Sequence, residues 1–203
     1  MKSSIMNKDI TSYKFTVVDT ETTGLTPYKG AKLVEIGAVR IDEGLKINLE
    51  RGFSTLINPE KPIPYSAYKI HKINDDMVRH APTIEKVLPH FSNYVENTVF
   101  VAHNAPFDFK FIDYFYKACR LSCPLIAVLD TIKIAKRVIP GLKSYSLDSL
   151  INYFNLKIEL PGTYRHRAIF DAIHTAFIFK KLVTIEKNKK GLLTLGDLVT
   201  YCY

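Results

Sequence analysis

The sequence predicts an α/β domain with a mixed central sheet of about five strands flanked by helices. The chain has 203 residues, 47% of them hydrophobic, which is enough for one domain with a sizeable core and too little for two. Three strand-like segments follow one another closely within the first 58 residues. Helical and strand-like patterns then alternate, and this succession favours helices packed on a sheet.

The predicted strands are segments in which β-branched residues or apolar and polar residues in alternation are bounded by turn residues. The first three are close enough to form a meander, and the other two are separated by helices. They cover residues 13–20, 32–42, 46–58, 98–103 and 124–130.

The predicted helices carry apolar residues at i, i+3 and i+4. Two of their starts have specific signals: Asn104 is a plausible N-cap with Pro106 in the first turn, and Asp130 is interpreted as the N-cap of a later helix. The helices cover residues 81–95, 105–120, 131–139, 146–154 and 167–182.

The whole chain, 1–203, is predicted to be a single domain with a core over about 13–185, since no internal repeat or low-complexity linker divides it. A short N-terminal extension precedes the core, and a Lys-rich and then apolar tail over 186–203 follows it. Apolar tail residues are able either to dock on a partner or to fold back on the domain, and we favour folding back. They are Leu192, Leu193, Leu195, Leu198 and Val199.

The net charge of +8 comes from one part of the chain, because residues 131–190 contain 12 basic and 4 acidic side chains. A localised basic surface favours a polyanionic partner such as nucleic acid, although a merely basic protein has the same composition. Three cysteines are too few for a disulfide framework or a complete zinc site. With no signal peptide and no apolar run of membrane-spanning length, we expect a soluble, cytoplasmic protein without membrane association.

Two acids stand at the end of the first predicted strand, in the segment "VVDTETTG". Asp19 and Glu21 are at i and i+2, so both side chains lie on one face of that strand. Asp and Thr are also common in turns and caps, and the segment alone does not decide between a turn and a functional site.

A third acid lies on an apolar helix face. Asp108 is aligned with Ile112 and Phe115 at i+4 and i+7, where an unpaired carboxylate is costly unless it has a partner or a metal. Asp113 on the same helix has Lys117 at i+4, which is typical of a solvated surface pair.

The fourth acid, Asp171, begins the apolar stripe of the last long predicted helix, and His166 precedes it by five residues. Five residues span about 140° around a helix, so His166 is expected in the loop before it. A histidine there suits a general base, because its pKa lies near neutral pH. Taken alone, the segment favours a surface histidine among Arg165 and Arg167.

Together, the four carboxylates are a donor set typical of hard divalent cations such as Mg²⁺ or Mn²⁺. Two such ions about 3.5–4 Å apart activate water and stabilise the leaving oxygen in phosphoryl displacement. The sequence therefore predicts a two-metal site.

The chain resembles the DEDDh, or DnaQ-like, 3′→5′ exonucleases, and is most similar to the proofreading exonucleases of bacterial DNA polymerase III. Three segments in order carry the resemblance: "VVDTETTGL", "VAHNAPFDFKF" and "HRAIFDA". It extends over roughly residues 13–183 and implies the ribonuclease H-like fold.

The resemblance implies that Asp19, Glu21, Asp108 and Asp171 bind two divalent cations, Mg²⁺ or Mn²⁺, and that His166 deprotonates the attacking water. Further residues match positions that enclose the terminal nucleotide, although His103 and Phe107 also fit plain packing. These positions are Thr22, Thr23, Gly24, His71, His103, Asn104 and Phe107.

The implied activity is hydrolysis of nucleic acid from a free 3′ end to release nucleoside 5′-monophosphates, with DNA favoured over RNA, in proofreading or repair. A DNA polymerase subunit is the expected protein partner. Two alternatives stay open: an exoribonuclease of the same superfamily, and a non-catalytic polymerase accessory module. Basic residues near the third segment are candidates for phosphate contacts or a solvated face: Lys133, Lys136, Arg137, Lys143, Arg165 and Arg167.

Overall fold

The central element is a mixed sheet of five strands in the computed structural model, which describes residues 5–158 and 166–202, with side chains up to residue 199. The strand order is β3-β2-β1-β4-β5, with β1, β2 and β3 antiparallel in succession and β4 and β5 parallel to β1. The predicted mixed sheet and its initial meander are confirmed. The strands are β1 (Phe15–Thr22), β2 (Leu33–Asp42), β3 (Lys46–Leu56), β4 (Val99–Ala102) and β5 (Ala127–Asp130).

Helices cover both faces of this sheet. All five predicted helices are present, as α3 to α7 of the described chain, and α7 continues to Lys190, eight residues beyond its predicted end. The helices are α1 (Tyr65–His71), α2 (Asp75–Val78), α3 (Ile84–Val95), α4 (Ala105–Ala118), α5 (Thr131–Val138), α6 (Leu147–Tyr153), α7 (Ala168–Lys190) and α8 (Leu195–Cys202).

Of the two predicted helix caps, the structure confirms one and shows a different arrangement for the other. Asp130 caps α5 as predicted, since its side chain accepts a hydrogen bond of 2.9 Å from the Ile132 N–H. Asn104 occupies the N-cap position of α4, but its side chain makes no capping bond and its backbone is left-handed, with φ of 73°. Asn tolerates this conformation better than most residues, which explains its presence at the turn.

The alternation of side chains along β1 divides the core into two layers. Phe15 and Val17 belong to the layer that contains α5, α6, α7 and α8, whereas Val18 belongs to the layer of α3 and α4. Odd-numbered residues of β1 therefore face α7 and even-numbered residues face α4. This places Asp19 and Glu21 toward α7.

The C-terminal apolar residues fold into the domain. Leu193, Leu195 and Leu198 are fully buried in the α7 layer, and the Leu193 carbonyl accepts a 2.8 Å hydrogen bond from the Ile10 N–H. Leu192 remains 61% exposed. The Lys-rich stretch is the end of α7, so it does not begin a separate tail.

None of the helices in the described ranges combines the length and the hydropathy needed to cross a membrane.

Replacement of Leu198 by Ala is expected to lower the free energy of unfolding by about 2–5 kcal/mol, because a buried leucine leaves a cavity. Leu192→Ala is the matched control, and its exposed side chain predicts a change within about 0.5 kcal/mol. Urea unfolding of both variants measures the difference. Equal effects of the two substitutions would contradict the packing of this segment.

Candidate active site

Three carboxylates converge at the end of β1. Asp19, Glu21 and Asp171 each offer one oxygen, and these oxygens all lie within 4.8 Å of one another. Asp19 and Glu21 come from the α7-facing side of β1, and Asp171 comes from the first turn of α7. Within the described ranges this is the one group of three or more His, Cys, Asp or Glu side chains close enough to hold a cation.

Asp108 approaches the same strand end from the opposite helix layer. It is 3% exposed in the first turn of α4, and its Oδ1 accepts hydrogen bonds from the Thr20 N–H at 2.9 Å and the Thr20 hydroxyl at 2.8 Å. Thr20 is an even-numbered residue and faces α4. The structure therefore brings three of the four predicted acids into one cluster and attaches the fourth beside it.

The electrostatics of the four acids reflect this crowding. Burial raises the pKa of Asp19 well above its ordinary value, and the neighbouring Asp108, Glu21 and Asp171 raise it further. Burial also raises the pKa of Asp108 to about 7, although its two hydrogen bonds from Thr20 oppose the change. Partly or fully buried oxygen ligands that repel one another are a donor set that fits a hard divalent cation.

His166 lies just before α7, outside the carboxylate cluster. Its side chain is exposed and its backbone is left-handed, with φ of 64°. The predicted loop position of His166 is confirmed, since α7 begins only at Ala168. The neighbouring Arg165 lies outside the described residues.

The same segment is anchored by an ion pair that the sequence analysis missed. Glu35 on β2 is fully buried, and it accepts hydrogen bonds from Arg167 Nε at 3.0 and 3.1 Å and from the Ala168 N–H at 3.0 Å. Arg167 was a candidate for a phosphate contact or for a solvated basic face, and in the structure it binds this buried carboxylate. The available signal was an acid, Glu35, within the otherwise apolar stretch 33–39 of β2.

A glycine on β2 allows α7 to approach the sheet. A Cβ at Gly37 would lie 2.2 Å from the Ala168 carbonyl carbon and 2.2 Å from the Ile169 nitrogen. These atoms are backbone, so the helix would have to move. Gly37 is the cross-strand partner of Asp19, and Glu35 is the partner of Glu21.

A cavity of about 430 Å³ opens beside the acids. The end of β1 and the chain that follows it form one wall, and α1 and Phe107 form the other. Of the residues predicted to enclose a nucleotide, five line it: Thr22, Thr23, Gly24, His71 and Phe107. The sequence analysis did not assign five further lining residues, which are Thr20, Leu25, Ser66, Ala67 and Ile70. The last three lie on α1, which is too short for a clear periodicity.

Hydrogen bonds fix the wall that follows β1. The Thr22 hydroxyl donates to the Gly24 carbonyl at 2.7 Å, and Thr23 exchanges bonds of 2.8 and 2.9 Å with the Lys32 backbone. Lys110 Nζ donates to the Leu25 carbonyl at 2.9 Å. The cavity is therefore largely formed before a ligand binds.

His71 is the buried polar group of this cavity. It is 1% exposed, and its Nδ1 accepts a 3.0 Å hydrogen bond from the Ile73 N–H, so in the neutral ring the proton is on Nε2. Burial lowers the pKa of His71, which favours the neutral ring. A hydrogen bond with the Thr22 backbone opposes this lowering of the pKa, which places the Nε2 edge of the ring against the end of β1.

His103 and Asn104 do not line this cavity in the described structure. His103 Nδ1 lies 2.9 Å from the Thr131 hydroxyl, and the Asn104 N–H donates to Asp130 at 3.3 Å. Both residues follow β4 in the chain, and these contacts link the end of β4 to the start of α5. Phe107 packs on Phe111, with ring centroids 5.4 Å apart, and also lines the cavity.

The mixed five-stranded sheet with helices on both faces is the ribonuclease H-like fold. A family model described as an exonuclease matches residues 16–179. The chain therefore belongs to the DEDDh, DnaQ-like family of 3′–5′ exonucleases.

Two relatives and one solved structure illustrate what this chain is similar to. The DNA polymerase III subunit epsilon-like protein of Rhodobacter capsulatus is 38% identical over 98% of this chain, which spans 28% of that protein. The DNA polymerase III subunit epsilon of Rickettsia conorii is 33% identical over 86% of this chain and 75% of its own length. Exonuclease X in complex with 5′ overhanging duplex DNA has a TM-score of 0.72 and 31% identity, covering 92% of this chain and 99% of its own.

Asp108→Asn is expected to raise the free energy of unfolding of the metal-free protein at pH 8 by on the order of 1 kcal/mol or more. The folded pKa of about 7 exceeds the ordinary 3.8, so ionised Asp108 destabilises the folded state above pH 7. The difference should shrink as pH falls from 7 toward 4, because folded Asp108 is then protonated and ionisation of Asp108 stabilises the unfolded chain less at each lower pH. Unfolding in EDTA across this pH range measures it.

Asp113→Asn on the same helix is the control, since Asp113 forms an ion pair with Lys117 at 2.7 Å on the protein surface. Its removal should change the free energy of unfolding by at most about 1 kcal/mol and should not stabilise. A loss of stability in Asp108→Asn at pH 8 would contradict the assigned electrostatics.

Proposed function

We propose that the protein is a metal-dependent 3′–5′ exonuclease that hydrolyses the terminal phosphodiester of DNA and releases nucleoside 5′-monophosphates. The observation that carries the proposal is the cluster of Asp19, Glu21 and Asp171 within 4.8 Å, beside a cavity of about 430 Å³. A volume of this order is typical of small-ligand pockets and suits one nucleotide.

Asp19, Glu21 and Asp171 are the residues proposed to hold two divalent cations, with Asp108 completing the ligand set. Mg²⁺ and Mn²⁺ both suit carboxylate oxygens. When bound, such ions lower the pKa of water and stabilise the leaving oxygen of a phosphodiester. The protein contributes the fixed position of the carboxylates, because β1 is the middle strand of the sheet.

His166 is proposed as the general base for the attacking water. An imidazole is able to take a proton near neutral pH, and the side chain of His166 is exposed to solvent. Its loop position before α7 also gives the side chain freedom to approach a water bound near Asp171.

The cavity is proposed to bind the 3′-terminal nucleotide. Thr22, Thr23 and Gly24 supply one wall, Phe107 supplies an apolar surface for the base, and His71 supplies a polar ring for the sugar or phosphate. His103 and Asn104 are proposed to contact the same nucleotide, from the end of β4.

DNA is favoured as substrate because two relatives are named as the epsilon subunit of DNA polymerase III or as a protein like it, and Exonuclease X was solved with duplex DNA. By the same reasoning, a DNA polymerase subunit is the proposed partner, proofreading or repair the proposed role, and the cytoplasm the proposed location. The non-catalytic accessory module is the weaker candidate, since all four acids and His166 are present.

Matched 5′-labelled DNA and RNA single strands should both be tested with Mg²⁺ and with EDTA. We expect metal-dependent shortening from the 3′ end, faster on DNA, and release of 5′-monophosphates. Asp108→Asn should abolish it, whereas Asp113→Asn on the same helix should retain wild-type rates. Faster shortening of RNA would assign the protein to RNA processing. No cleavage of either strand by folded wild type would overturn the exonuclease proposal.

His166→Asn should lower the single-turnover rate by about 10²–10⁴-fold, the usual contribution of a general base. The control is His90→Asn, an exposed histidine on α3. The pH–rate profile measured from pH 6 to 9 should show an inflection for wild type and for His90→Asn, and no inflection for His166→Asn. A retained inflection would assign the base to another group.

A further inference from the structure

We propose that Glu35 is a positioning residue for the third motif: through Arg167 and Ala168 it fixes the start of α7, and thereby places His166 and Asp171. The inference rests on the catalytic roles given to those two residues in the proposed function. It assigns a role to a carboxylate that belongs to none of the three motifs.

The contacts of Glu35 use both of its carboxylate oxygens. Arg167 donates from Nε to Oε1 and Oε2 at 3.0 and 3.1 Å, and a second guanidinium nitrogen donates to Oε1 at 2.5 Å. The Ala168 N–H donates to Oε2 at 3.0 Å. A planar guanidinium bound to both oxygens has a defined orientation, unlike a single surface contact.

Glu35 also replaces the missing N-cap of α7. Arg167 is the N-cap residue, and its side chain makes no capping hydrogen bond. First-turn N–H groups have no acceptor within their own helix, and a negative charge is favourable at that helix end. Glu35 provides both the acceptor and the charge from a different strand, so the position of the helix start is set by β2.

The register between β1 and β2 connects this cap to the metal-binding acids. Glu35 is the cross-strand partner of Glu21, and Gly37, the partner of Asp19, is the residue against which the Ala168 and Ile169 backbone packs. Two contacts, one polar and one steric, therefore hold α7 at a fixed distance from the strand that carries Asp19 and Glu21. His166 is adjacent to Arg167, and Asp171 lies one turn into the helix.

The competing explanation is an ion pair that only stabilises the fold. The pair of Asp9 and Lys187, which joins the N-terminal segment to the end of α7, provides the comparison because it is partly buried and remote from the acids. If Glu35 has a positioning role, its substitution lowers kcat, whereas substitution of Asp9 lowers stability without lowering kcat.

The experiment compares Glu35→Gln, Arg167→Lys and Asp9→Asn in the full chain, at a temperature where each variant is folded. For Glu35→Gln we expect kcat to fall on the order of 10²-fold, the effect of a misplacement of about 1 Å, with little change in KM. Arg167→Lys keeps the positive charge but removes the two-nitrogen contact. Its kcat should therefore lie between the values of Glu35→Gln and wild type. Asp9→Asn should lose stability and keep wild-type kcat.

Hydrogen exchange of the Ala168 amide gives a readout independent of activity. It should become faster in Glu35→Gln and remain unchanged in Asp9→Asn. Wild-type kcat in folded Glu35→Gln and Arg167→Lys, or an unchanged Ala168 exchange rate in both, would overturn the inference. A wild-type protein without exonuclease activity would instead refute the proposed function, while the exchange rates would still test whether Glu35 holds the helix start.

Discussion

The mutual repulsion of carboxylates at the end of β1 is the constraint on which the rest of this structure depends. Asp19, Glu21 and Asp171 lie within 4.8 Å, and burial together with like charge raises the pKa of Asp19. Repulsion and burial of these carboxylates destabilise the folded protein. The cluster is held in place because β1 packs between two strands and two helix layers. The favourable free energy of this packing offsets the unfavourable repulsion among the acids.

The two-residue period of β1 distributes the site between those layers. Asp19 and Glu21 face α7 and meet Asp171, whereas Thr20 faces α4 and binds Asp108 through its amide and hydroxyl. One strand end thus collects groups from both faces of the sheet. The three sequence motifs are far apart in the chain for this reason: each belongs to a different layer of the fold.

Sequence patterns predicted the parts that depend on local spacing. Asp19 and Glu21 at i and i+2, and Asp108 on an apolar helix face, were identifiable because their neighbours fix their direction. The bond between Glu35 and Arg167 joins residues 132 apart in sequence, and it depends on the β1–β2 register and on how closely α7 approaches Gly37. Helices α1 and α2 have seven and four residues, too few for a clear period.

The meeting of the N-terminal segment with the end of α7 has an architectural consequence. Asp9 pairs with Thr194 and binds Lys187, which follows Asp171 by sixteen residues of one helix, or about 24 Å at 1.5 Å per residue. The contact that closes the N-terminal segment onto the chain around the end of α7 is therefore remote from the acids, and a change at this contact is expected to alter stability independently of the carboxylate cluster.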